Sequence, residues 1–106
     1  MYQVLLNNGL LMRVIGEPIT ISGFEDIKFF ICTIKHSEYE EWQVNEAITG
    51  AQIGNGLSKY EAITDAVVKL HLNGREKIIN KINEFINQYG RTEIGATMMA
   101  PGEEAI

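Results

Sequence analysis

Apolar and polar residues alternate through the first half of the chain and recur at helical spacing through the second. The two periods predict strands followed by helices. "YQVLL" (2–6) and "LLMRV" (10–14) flank Asn7-Asn8-Gly9, and Asn-Gly between apolar runs predicts a two-residue hairpin turn. Gly16-Glu17-Pro18 reads as a break, with "ITI" a short extended piece before Ser22-Gly23. "IKFFICTIK" (27–35) is the most apolar strand. Its alternation puts Ile27, Phe29 and Ile31 on one face and Phe30, Cys32 and Ile34 on the other. Apolar residues on both faces predict a strand covered on both sides, or one whose outer face meets another subunit. "HSEYEE" is a charged loop. "WQVNEA" then sets Trp42 and Val44 against Gln43 and Asn45, and Thr49-Gly50 turns the chain into "AQIG", making 42–54 a second hairpin.

Ser58 followed by Glu61 matches a capping box and predicts a helix over about 58–72. Tyr60, Ile63, Val67 and Leu70 form its inner stripe, widened by Ala62 and Ala66, while Val68 and Leu72 fall on the far side. A helix apolar on two sides is expected between a sheet and another helix or chain. Asn73 with Glu76 is a second capping pair, placing another helix at about 75–89. Ile78, Ile79, Ile82, Phe85, Ile86 and Tyr89 make its apolar stripe, Lys77, Asn80, Lys81, Glu84 and Gln88 its polar face, and Gly90 its end. The tail, 91–106, is irregular but apolar at Ile94, Met98 and Met99, as for a loop lying on other residues. The pattern gives one α+β domain over 1–106: an N-terminal antiparallel sheet of hairpins over about 2–54, then two C-terminal helices.

At 106 residues, 45% of them hydrophobic, the chain can bury a core without disulfides or a structural metal. Its one cysteine suits a reducing cytosol. No apolar run approaches a membrane span, and the N-terminal residues lack the basic start of a signal peptide. A net charge of -5 argues against general nucleic-acid binding, yet leaves room for a pocket holding one or two phosphates.

Candidate chemistry is sparse, and neither metal nor cofactor is implied. His36, Glu38, Glu40 and Glu41 approach a metal-ligand composition, but a loop of that composition reads rather as a solvated charge run. Cys32 sits within a strand, away from the exposed helix start that favours a thiolate. In "GNGLSK" (54–59) the third glycine of a dinucleotide fingerprint is replaced by Lys59, and the P-loop spacing is absent, so the stretch reads as a capped turn. Arg91-Thr92 pairs a planar fork with a hydroxyl, a combination that grips phosphate or carboxylate. The plainer reading of the arginine by itself is a solvent-exposed residue at a helix C-terminus, where positive charge is mildly favoured. Phe24, Tyr39 and Trp42 border turns, where a ring stacks on a base or rims the core.

The order of elements, with "WQVNEAITGAQIGNGLSKYEAI" at its centre and two helices and a tail after it, resembles the first-described anti-Thoeris sponge proteins of phages. The resemblance implies a protein without catalysis that sequesters cyclic ADP-ribose-type signals, and in some members cyclic oligonucleotides, in the cytoplasm of an infected bacterium. It implies a homodimer able to form a hexamer, with ligand near the subunit contacts. Arg91 and Thr92 are the positions it places in such a pocket; Arg13, Phe24, Lys35, Trp42 and Lys59 join them on chemical type. Two other readings stand beside it. Glu38, Glu40, Glu41 and Glu46 around one loop suit an anti-CRISPR-like inhibitor that blocks a basic channel. The strand-strand-helix order suits an antitoxin-like module.

Overall fold

A computed structural model of the chain describes residues 1–102 and shows an α+β fold. Strands β1 (Tyr2–Leu5) and β2 (Leu11–Val14) form a separate two-stranded antiparallel sheet. β3 (Gly16–Ile19), β4 (Phe29–Lys35), β5 (Glu40–Glu46) and β6 (Gln52–Gly56) form a four-stranded antiparallel sheet in sequence order. Helices α1 (Lys59–Asn73) and α2 (Arg75–Tyr89) follow, and a short 3₁₀ turn, Gly95–Thr97, lies in the tail. The fold class and element order match the sequence reading. Its outermost tail residues, 103–106, lie outside the described residues.

The alternation in β4 is realised as read, and both faces are covered within the chain. Ile27, Phe29 and Ile31 join Val44, Ala62, Ala66, Leu70 and Ile82 in a core beneath the helices. On the opposite face Phe30 and Cys32 join Val4 and Ala47, closed over by Tyr2, Val14, Ile94 and Met98. The sheet is thus sandwiched between two helices on one side and the first hairpin plus the tail on the other. Residues 94 and 98 are what the tail lies on the sheet with, whereas Met99 is exposed.

Several local readings are corrected. The first hairpin turns over a longer loop: the Leu6 N–H donates to the Leu10 carbonyl and the Gly9 N–H to the Leu6 carbonyl. Gly9 therefore closes a turn in the left-handed region instead of occupying its centre. Gly16-Glu17-Pro18 is not a break but most of β3. Proline is tolerated there because β3 is an edge strand, and a Cβ at Gly16 would lie 2.8 Å from the Phe30 ring and 2.9 Å from the Tyr2 ring. Those two rings stack at 4.3 Å across the sheet face.

Helix α1 starts as read: the Ser58 hydroxyl accepts from the Glu61 N–H, and the Glu61 carboxylate reaches back to the Leu57 N–H. Its inner face is rotated from the expected stripe. Ala62, Ala66 and Leu70 are fully buried, while Tyr60 is 78% exposed. The cause is β6, whose Gly54 and Gly56 let the helix backbone come so close that only alanines fit against it. Asn73 caps nothing for α2; it ends α1 and donates to the Lys69 carbonyl. Gly74, at φ 83°, stands between the helices and gives α2 no side-chain cap.

Candidate functional site

The bend at Gly74 shapes the surface. Lys69 and Asn73 on α1, and Lys77 and Lys81 on α2, follow one another at intervals of four. In a continuous helix they would form a straight stripe. Bent at Gly74, they line a groove of about 360 Å³ together with Gln52, Ile53 and Ile78. Lys69 pairs with Asp65 at 2.8 Å, and that bond lowers the Asp65 pKa, helped by the Asn55 N–H. Among the described residues Lys77 and Lys81 make no ion pair. Two ammonium groups one helical turn apart repel each other, and an anion between them relieves that repulsion. Asn73 and Gln52 add amide donors, and Gly74 leaves the first-turn N–H groups of α2 without a side-chain partner nearby.

Beside the groove lies a smaller, largely apolar compartment of about 120 Å³. Ala51, Ile53, Ile78, Ile82 and Phe85 wall it, with Glu46 and Thr49 at one side. Gln52, Ile53, Ile78 and Lys81 line both spaces. Glu46 is fully buried; its carboxylate accepts from the Ile48 N–H at 2.5 Å, the Thr49 N–H at 3.0 Å and the Thr49 hydroxyl at 2.7 Å. Burial raises its pKa, against the opposing pull of those bonds and of the Arg91 charge.

The residues singled out from sequence are placed as follows. Thr92 is buried; its hydroxyl donates to the Ala47 carbonyl at 2.7 Å and accepts from the Gly95 N–H at 2.9 Å. Arg91 donates to the Gly95 and Met98 carbonyls. Together they staple the tail to the turn after β5. Arg13, on β2, pairs with Glu93 of that segment. Phe24 is buried and meets His71 edge-on at 5.1 Å. Trp42 packs on the core beneath the helices. Lys35 is exposed at the end of β4, opposite Glu40, and Lys59 pairs with Glu17 at 3.0 Å. The structure brings Arg91 and Thr92 together, ties Arg13 to them through Glu93, and leaves the other four apart from them. Replacing Thr92 with Val is expected to cost about 2 kcal/mol in chemical denaturation, because a buried carbonyl and a buried N–H both lose their partner.

The acidic cluster is also redistributed. Glu46 is internal, and Glu41 accepts from Asn55, Gln43 and His36, bonds that hold its pKa below the usual carboxylate range, Asn55 contributing most. Only Glu38 and Glu40 remain outward without such ties. Burial pushes the Cys32 thiol up to about 11, as for an inert small hydrophobe. Among the described residues no group of three metal-ligating side chains converges, and no helix is long and apolar enough to cross a membrane.

The lysine groove was missed in the sequence because Lys77 and Lys81 read as the solvated face of an isolated helix. The signal that points to it is the four-residue period of Lys69, Asn73, Lys77 and Lys81 running through Gly74. No protein-family model matches the chain, and searches of curated proteins and of solved structures return no match to it.

Proposed function

We propose that this chain is a binding protein that sequesters a cyclic ADP-ribose-type signalling nucleotide without cleaving it, as a phage counter-defence factor in the bacterial cytoplasm. The observation that carries the reading is the groove between α1, α2 and β6, where Lys69, Lys77 and Lys81 converge in a protein of net charge -5. Local geometry of this kind outweighs net charge for a ligand with one or two phosphates. The groove sits on two helices and a strand, so its donors are held in place before the ligand arrives.

The assembly expected of such a protein draws support from α1. Tyr60, Val68 and Leu72 are exposed along its outer side, with Leu57 exposed in the turn before it, an apolar strip suited to self-association. Isothermal titration with a panel of cyclic ADP-ribose isomers and cyclic oligonucleotides tests the reading. Tight binding, with intact ligand recovered after heating, is the expected result. An absence of heat across the panel overturns it.

A further inference from the structure

Gly74 joins α1 to an arm made of α2 and the tail, and that arm grips the rest of the chain on both sides of the sheet. Arg75 pairs with Asp26, and Ile82 enters the core beneath the helices. Farther on, the Thr92 hydroxyl donates to the Ala47 carbonyl, and Ile94 and Met98 close the opposite core. None of these contacts depends on which copy of the chain supplies the arm. A second copy's arm fits the same places.

At Gly74 the chain also gives up regular structure within its reach. With φ 83° and ψ 156° this residue occupies a region that glycine alone takes readily. Were it helical, α1 and α2 would be one straight helix. The N–H groups of Arg75, Glu76 and Lys77 would then reach the carbonyls of His71, Leu72 and Asn73. At the bend, no side chain caps α2 in their place. The straight form also accounts for Val68 and Leu72, which are 50% and 81% exposed on α1. At about 100° per residue they fall within about 40° of Ile79 and Ile86. Those isoleucines pack on the core beneath the helices. The same face of α1 would therefore be carried onto the copy that receives the arm.

We propose that two copies of the chain exchange α2 and the tail by straightening at Gly74, giving a dimer in which residues 59–89 of each copy form one helix. Val68 and Leu72 are covered there by the partner copy. Each groove then combines Lys69 of one copy with the partner's Lys77 and the partner's Lys81. The exchange goes beyond the reading above and holds whatever the groove binds.

Size-exclusion chromatography with light scattering, on the parent and two hinge variants, tests it. A Cβ at Gly74 meets nothing within 4 Å, so Gly74→Ala changes the backbone preference without touching the packing. Alanine is favoured over glycine in a helix by about fivefold, so the two hinges of a dimer should raise the dimerisation constant at least about 25-fold. Inserting Gly-Gly after Gly74 frees the bend and interrupts the straight helix, and should leave a folded monomer. The dimer, once isolated and diluted, should persist for hours, because the arms must undock before the copies part. A dimer held by the outer strip of α1 alone would re-equilibrate within minutes. A Gly74→Ala protein no more dimeric than the parent, an insertion variant that dimerises like the parent, or a dimer lost within minutes of dilution overturns the exchange. Should Gly74→Ala fail to fold, the insertion variant decides alone.

Discussion

Replacing Gly54 with Ala is expected to destabilise the protein by about 3 kcal/mol, the upper end of what overpacking costs in a close-packed core. A Cβ at this position would lie 2.5 Å from the Ala66 nitrogen and 2.8 Å from the Ala62 carbonyl oxygen. Both are backbone atoms of α1 held in its hydrogen-bond ladder, so neither can rotate away. The only relief is to lift the helix from β6, which opens the contact made by Ala62, Ala66 and Leu70, all fully buried. Gly56 makes the same demand one step further on, where a Cβ would stand 2.8 Å from the Ala62 nitrogen. For a domain of this size the loss corresponds to a melting temperature lower by roughly 15 °C. Urea denaturation measures it directly; a change below about 1 kcal/mol would mean that α1 is not seated on the glycine backbone.

Removing the ammonium groups of Lys77 and Lys81, as Lys77→Ala with Lys81→Ala, should weaken binding of the nucleotide ligand on the order of 100-fold. Each lysine is expected to account for roughly tenfold, as for a charge-assisted contact at a partly open site. The remaining affinity should depend less on salt, since two of the screened charges are gone. Stability should stay within about 0.5 kcal/mol of the parent, because both side chains are exposed and pair with no described residue. Calorimetry at two ionic strengths, beside a denaturation curve, separates the two effects. An undiminished affinity would place the ligand elsewhere on the molecule.

What could be read from sequence depended on how far along the chain its cause extends. The two-faced strand at 29–35, the Ser58 cap and the Gly90 stop are set by neighbours within a few residues, and the structure has them as read. The inner face of α1 could not be read that way. Hydrophobicity alone favours Tyr60 over Ala62, but the glycines of β6 reverse that choice, and their approach exists only in three dimensions. Thr92 was noticed for its hydroxyl, whose partners at Ala47 and Gly95 depend on where the tail runs. The lysines of the groove lie on both sides of a one-residue bend, and a helix-by-helix reading divides them into two ordinary polar faces.

The second core cluster draws on residues from both ends of the described chain: Tyr2, Val4 and Val14 at one end, Ile94 and Met98 at the other, with Phe30 and Cys32 between them. During synthesis the helix-covered half of the sheet has every partner once α2 is made, but the opposite half does not. Phe30 and Cys32 wait, with only the first hairpin over them, until the chain has been extended through Met98. Without residues 94–98 docked, that face of β4 is open to other chains. A chain truncated after Gly90 is expected to keep the helix-covered core yet to aggregate through the face of Phe30 and Cys32, which light scattering beside the parent measures.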